Sequence, residues 1–216
     1  LRDALGAKKL KELRRQRARM QDFGAVEFRV ARTPDEIARA LNDFLLLEAS
    51  GWKAARGTAL MQHAGDDAFI RFATQALAAN GACEIVTLTC GQIPVASGIV
   101  LRHQDRAFWF KIGVDPAFAR FSPGVQLALE LTKHLCADPA IRLADSTAIP
   151  NHPMIDPVWR GRMRVGDVVI PLYRRDPIHL AFVVALKARH HARHAMRPLV
   201  RILRQVSSIK AGKVQS

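Results

Sequence analysis

Three stretches of the chain carry residue types and spacings that could do chemistry. The most informative is Ile112–Leu127, IGVDPAFARFSPGVQL. An apolar run ends at Val114, a loop carries Arg120, and Ser122-Pro123-Gly124 opens a new periodic apolar run. Ser122 stands where an N-cap belongs and Pro123 at the first helical position. A helix start presents unpaired N–H groups and a partial positive charge, which suits a diphosphate. Gly124 and Val125 would bring backbone close to it, and Arg120 would add a charge-assisted contact. Pro123 has no N–H, so such a cradle lacks one donor. The same residues also describe nothing more than a well-capped helix after a loop.

The second stretch holds Asp145, at the end of the short run Ile141–Asp145, and His152, in Asn151-His152-Pro153-Met154. An imidazole with a carboxylate to orient it is a general base, and Asp145 could also act through water. Alternatively, Asp145 caps the following loop and His152 packs locally. The third is Gly51-Trp52-Lys53. Trp52 could wall an acceptor pocket while Lys53 holds an anionic group; equally, Trp52 pins the loop and Lys53 is solvated. Glu48, one turn earlier, is a spare acid. His190, His191 and His194 spell HHxxH, with His190 and His194 on one helical face. No carboxylate or cysteine accompanies them and Arg189 and Arg193 crowd them, so no metal site is expected.

These residues need elements to position them. The 4–21 segment is rich in helix formers with a thin stripe of Leu10, Leu13 and Met20. Residues 25–31 alternate as a strand. Thr33-Pro34-Asp35-Glu36 is a capping box that starts a helix running to about Ser50. Asp66 and Asp67 open another helix, with Phe69, Ala73, Leu77 and Phe72, Ala76 expected to face a core. Residues 84–89, 93–101 and 107–114 read as strands joined by tight turns, hence an antiparallel meander. A loop over 115–121, a helix from Pro123 to about Cys136 lined by Leu127, Leu131 and Leu135, and a fifth strand over 141–145 follow. Strand, helix, strand in that order predicts a right-handed crossover. Residues 146–160 are irregular and then briefly helical, Arg162–Leu172 reads as a last strand, and Asp176-Pro177 caps a C-terminal helix interrupted at Pro198.

The net charge of +14 is unevenly spread. Residues 1–22 carry eight Lys/Arg and three Asp/Glu; residues 177–216 carry eight and none; the 154 between them carry seventeen and sixteen. A nearly neutral folded middle lacks the basic face of a nucleic-acid binder. The basic ends could meet an anionic membrane surface or a partner. In the tail, Ala188, Ala192, Met196, Leu199 and Leu203 form an apolar stripe flanked by Lys and Arg, as in an interfacial helix. Cys83, Cys90 and Cys136 show no pairing pattern and are expected to be reduced, small buried side chains of a cytoplasmic protein. The chain opens on Leu1, which is read as a fragment whose N-terminal part is missing.

The meander followed by strand, loop, helix and strand resembles the GNAT N-acetyltransferase fold. Gly51-Trp52-Lys53, Gly57-Thr58-Ala59-Leu60 and Ser122-Pro123-Gly124 narrow the resemblance. They are similar to acetyltransferases associated with bacterial cellulose and polysaccharide biosynthesis, distant relatives of Fem-type aminoacyl ligases. The resemblance covers about 25–175. It implies an α+β fold with a mixed twisted sheet, splayed central strands and helices on both faces. It also implies a domain over 23–176 between a basic helix or linker (1–22) and a basic C-terminal helix and tail (177–216). The implied donor is acetyl-CoA, with Ile112, Gly113 and Val114 pairing with pantetheine and Arg120, Ser122, Gly124 and Val125 at the diphosphate. The implied acceptor is an amine, on a small molecule or on a sugar or envelope precursor. Arg120 is followed by Pro123 where the usual Arg/Gln-x-x-Gly-x-Gly/Ala signature has its first glycine. An aminoacyl transferase of the Fem kind and a non-catalytic scaffold with a basic membrane- or partner-binding tail are the alternatives.

Overall fold

A computed structural model describes residues 2–51, 56–166, 168–171, 173, 176–189 and 191–192. The chain divides into two compact units, Leu1–Gly161 and Arg162–Ser216.

The first unit is a five-stranded sheet in the order β1-β2-β3-β4-β5. Its strands are β1 (Val26–Ala31), β2 (Cys83–Cys90), β3 (Ile93–His103), β4 (Arg106–Val114) and β5 (Leu143–Asp145). The first four pair antiparallel, as the alternation and short turns require, and β5 lies parallel to β4. The helices are α1 (Arg2–Gln21), α2 (Pro34–Ser50), α3 (Ala64–Ala79) and α4 (Pro123–Ala137). Every residue of β2 is buried, because its two faces serve two cores. Ile85 packs with Ile37, Leu41, Phe44 and Leu45 of α2. Val86 and Leu88 pack with Leu127, Leu131 and Leu135 of α4 and with Met20 of α1. The basic N-terminal helix is anchored in the fold through the buried Leu13 and Met20.

Local chemistry explains the helix starts. At α2, the Thr33 hydroxyl accepts from the Glu36 amide (3.4 Å), and the Glu36 carboxylate accepts from the amides of Thr33 (3.0 Å) and Arg32 (2.9 Å). These bonds hold the Glu36 carboxyl below its ordinary value. The face of α3 differs from expectation. Phe69 and Phe72 are 67% and 76% exposed, whereas Ile70, Thr74 and Ala78 are buried. This helix is apolar on several sides, so periodicity leaves its rotation open. The Ile70–Thr74–Ala78 row can be buried because the Thr74 hydroxyl donates to the Ile70 carbonyl at 2.7 Å, which satisfies the one polar side chain of that row. Arg71, bound to Asp67 and reaching Asn42 of α2 at 2.6 Å, fixes the same rotation.

The 115–121 loop is a 3-10 helix over Pro116–Phe121, capped by the Asp115 carboxylate, which accepts from the Ala117 amide at 2.8 Å. Ser122 therefore ends one helix as well as preceding the next. It sits in the left-handed region (φ 52, ψ 50), its amide donates to Ala119, and its side chain makes no cap bond on α4. Cys83 and Cys90 are buried as expected, but Cys136 is exposed, since it lies on the outer side of α4 opposite Leu131 and Leu135.

In the second unit, the described residues of 162–171 form no strand. Alternation of Arg162 and Arg164 describes two sides of an extended chain and supplies no hydrogen-bonding partner of its own. The Asp176 cap is present: its carboxylate accepts from the amides of Ile178 (2.9 Å) and His179 (3.2 Å), and 177–189 is helical. His190, His194, Pro198 and the stripe residues Met196, Leu199 and Leu203 lie outside the described residues. Among the described residues no helix is long and apolar enough to cross a membrane, and no group of side chains could hold a metal ion.

Candidate active site

The site begins where two strands part. β5 pairs with β4 at Arg106–Leu143, Ala107–Ala144 and Phe108–Asp145. There β5 ends, while β4 runs on to Val114. The opening contains a cavity of about 390 Å³, within the range of ~300–1,000 Å³ typical of small-molecule sites. Trp109–Val114 of β4 form one lining. Residues 146–148 with His152, Met154 and Ile155 form another, and Leu47, Glu48 and Gly51 from the end of α2 complete it.

The departing chain is fixed by its own polar groups. Thr147 has a positive φ of 49°, rare for a β-branched residue. Its amide donates to the Asp145 carboxylate at 2.8 Å and its hydroxyl donates to the Trp109 carbonyl at 2.8 Å. The first bond holds the turn and the second ties it across the mouth of the parting strands.

A β-bulge sets which side chains enter. Val100 faces Trp109 and Ile99 faces Lys111, so Phe110 is an extra residue without a β3 partner. The extra residue reverses the strand's alternation. Before it, Ala107 and Trp109 join the α4 core; after it, Ile112 and Val114 do. Lys111 and Gly113 consequently turn toward α2. A Cβ on Gly113 would lie 2.8 Å from the Glu48 amide nitrogen and 3.0 Å from the Leu47 Cβ. Glycine is needed there so that the end of α2 can rest on β4.

That approach brings together Glu48 and Lys111, a pair that local sequence patterns do not show. The Glu48 side chain is fully buried, and its Oε1 lies 3.4 Å from Lys111 Nζ. Its Oε2 accepts from the Leu60 amide at 3.0 Å. The position is unfavourable twice over. A buried carboxylate loses its hydration, and the last turn of a helix carries partial negative charge.

Of the expected site residues, Ile112, Gly113, Val114 and His152 line this one cavity. Asp145 does not join them: its carboxylate is taken up by the Thr147 turn, and no hydrogen bond links it to His152 among the described residues. His152 Nδ1 instead accepts a long bond from the Met154 amide, 3.4 Å. Arg120 is exposed and stacks its guanidinium over the rings of Phe121 (4.7 Å) and Phe23 (5.4 Å). The start of α4 is largely spent. Pro123 has no N–H, and the amides of Val125 and Gln126 both donate to the Ser122 carbonyl at 3.0 Å. Gly124 is buried, and a Cβ there would lie 3.0 Å from Met154 Sδ and 3.3 Å from Val114 Cγ2. Its glycine therefore serves packing beneath Met154. Trp52 and Lys53 lie outside the described residues.

No curated protein matches. Among solved structures, a possible acetyltransferase from Clostridium difficile 630 is 15% identical, covering 69% of this chain and 97% of its own, with a TM-score of 0.47. An aminoglycoside acetyltransferase from an uncultured soil metagenomic sample, solved with sisomicin, is 10% identical over 71% of this chain and 99% of its own, TM-score 0.47. A GCN5-related N-acetyltransferase from Ralstonia eutropha JMP134 is 17% identical over 68% and 99%, TM-score 0.42. The model of the acetyltransferase (GNAT) domain family matches residues 7–152, a span that includes β1 to β5, Glu48, Lys111 and His152. Since that match takes in well over half of the sequence, the chain belongs to the acetyltransferase (GNAT) domain family.

Proposed function

We propose that this GNAT acetyltransferase moves an acetyl group from acetyl-CoA to an amine in the cavity between β4 and β5. The observation that carries the reading is the parting of those strands after Phe108 and Asp145. Beyond that point the β4 edge at Trp109–Val114 lines a cavity that also holds His152. An extended thioester arm with its own amides matches a strand edge that has lost its neighbour. The bulged residue, Phe110, has no partner in the β3 register, and its backbone N–H is the donor we assign to the thioester. Such a donor suits the oxygen of a carbonyl under attack. Holding thioester and amine together can supply up to ~7–11 kcal/mol of the barrier.

The amine must lose a proton first. On reference values, transfer from an alkylammonium to an imidazole is uphill by ~5 kcal/mol, and to an ordinary carboxylate by ~8 kcal/mol. This difference favours His152 over any carboxylate as proton acceptor. It would act at Nδ1, giving up the long contact with Met154. Asp145 then serves as the brace of the Thr147 turn.

The diphosphate end is weaker than the thioester end. Ser122, Gly124 and Arg120 remain its proposed ligands, with Gly124 the one amide of the first α4 turn not already spent. We place the acceptor among amines of sugars or envelope precursors, as in the polysaccharide-associated type. A Fem-like carrier-bound donor is the second reading, favoured by the covered start of α4. Thermal shift with acetyl-CoA, inorganic phosphate and a tRNA mixture separates them. At 100 times Kd, acetyl-CoA should stabilise the protein by ~2.7 kcal/mol, and phosphate at the same concentration should not. A shift with charged tRNA and none with acetyl-CoA would favour the second reading.

A further inference from the structure

A second cavity lies between α1 and α4, and acyl transfer makes no use of it. Its volume is about 500 Å³, against about 390 Å³ for the cavity between β4 and β5, and the two share no lining residue. We infer that this cavity is a second binding site, for a small apolar carboxylate that carries an N–H group, the chemistry of an N-acylated apolar amino acid. The inference stands apart from the acyltransfer reading.

The apolar part of the lining is Leu10 and Leu13 of α1 and Leu129 of α4, a surface that gains by covering a hydrocarbon side chain. Charge selects the head group. Arg14, Arg17, Lys133 and Glu130 share the lining, so three cations stand against one carboxylate. That carboxylate is already matched: Arg17 Nη1 lies 3.0 Å from its Oε1 and Lys133 Nζ lies 3.2 Å from its Oε2. Arg17 Nη1 is buried and, for all its closeness to Glu130, donates no hydrogen bond. Its Nη2 makes only a long bond to the Val26 carbonyl, 3.4 Å. Arg14 is exposed and has no hydrogen bond or ion pair among the described residues. A ligand carboxylate gives these guanidinium groups the planar acceptor that their geometry fits.

Gln126 supplies the third requirement. It is 3% exposed and lines the same cavity. Its Nε2 donates to the Leu13 carbonyl at 2.8 Å. A carbonyl can only accept, so the amide orientation is fixed and Oε1 is the opposite end. That oxygen has no hydrogen-bond partner among the described residues. An unmet acceptor on so buried a side chain is unfavourable, and an N–H on the ligand satisfies it.

The test titrates three probes into the full chain by NMR. They are N-acetyl-leucine, its neutral amide N-acetyl-leucinamide, and O-acetyl-leucic acid, an isostere with an ester oxygen in place of the N–H. N-acetyl-leucine should shift resonances of residues 7–17 and 126–133 and leave 109–114 unmoved. The neutral amide should bind about tenfold more weakly, as loss of a charge-assisted bond requires, and the ester isostere about threefold more weakly. Arg14→Met, at an exposed position, should narrow the gap between acid and amide. Gln126→Leu should abolish the gap between N-acetyl-leucine and the ester isostere. Where that variant folds poorly, the same comparison in the wild type still tests the role of Oε1. The thermal shift given by acetyl-CoA should be the same with and without saturating N-acetyl-leucine. No binding, shifts centred on 109–114, or competition with acetyl-CoA would each overturn the inference. So would equal binding of acid and amide, equal binding of N-acetyl-leucine and its ester isostere, or unaltered preferences in the two variants.

Discussion

Glu48 and Glu84 are each 2% exposed, yet they are held in opposite ways. Glu84, at the start of β2, receives Arg102 at 2.8 Å, Arg32 at 3.1 Å and His134 at 2.7 Å. Arg102 in turn binds Asp138 beyond the end of α4. Burial alone would push the Glu84 carboxyl up, but the bonds from His134, Arg102 and Arg32 outweigh it and hold it below its ordinary value. Glu48 borders an open cavity and meets Lys111 at a long 3.4 Å. The first arrangement ties the end of β1 to β2, β3 and α4. The second sets a carboxylate at the wall of a cavity, with the Leu60 amide at 3.0 Å on its other oxygen. Burial of an acid does not by itself mark a site, and of these two only Glu48 lies beside the cavity between β4 and β5.

The largest expected contrast is in stability. Glu84→Ala leaves Arg102 and His134 facing a buried gap and should cost ~3–5 kcal/mol. Glu48→Gln keeps an acceptor for the Leu60 amide and should cost only ~1–2 kcal/mol. Urea denaturation of both variants measures the difference, and equal losses would erase the distinction between the two glutamates.

Next in size is Gly113→Ala. Its Cβ would press on the backbone of Glu48, so α2 must move away from β4. A loss of ~1–3 kcal/mol is expected on urea denaturation. A variant as stable as wild type would contradict the close approach.

Acid should separate the two regions further. A carboxyl whose folded value lies below its unfolded value of 4.5 stabilises fully above that value. The contribution fades as pH falls through the lower folded value. Melting temperature should therefore drop below about pH 4.5 in the wild type and drop less steeply in Glu84→Gln. Parallel curves would show that Glu84 is not the group concerned.

The smallest effect concerns the diphosphate end. Pro123→Ala restores one amide at the start of α4, worth ~0.5–1.5 kcal/mol, and should tighten acetyl-CoA up to about tenfold by calorimetry. Unchanged affinity would place the diphosphate elsewhere.

Much of the frame was legible in the sequence. The Thr33–Glu36 capping box, the alternation of β1 to β4 and the Leu127–Leu131–Leu135 row depend on neighbours within a few residues. Local pattern therefore carries them. The site was legible in part. Ile112, Gly113, Val114 and His152 were singled out, and the structure gathers them around one cavity. The Phe110 bulge was hidden, because the apolar run AFWFKIGV reads the same with or without an extra residue. Hence Lys111 was not assigned to the α2 side. Its partner, Glu48, is sixty-three positions away, and no periodicity links them. Gly113 was marked as a backbone contact for a ligand, but its missing side chain is required by α2. The exposed Phe69 and Phe72 and the absence of a strand among the described residues of 162–171 share one cause. Amphipathic pattern says that a face exists, and only tertiary packing says which face is taken.

The most direct test of the account is amide hydrogen exchange with and without acetyl-CoA. Slower exchange is predicted at Trp109–Val114 and across 146–155, the two sides of the parted strands, with β1 and the Glu84 region unchanged. Protection confined to other parts of the chain, or none at saturating acetyl-CoA, would contradict it.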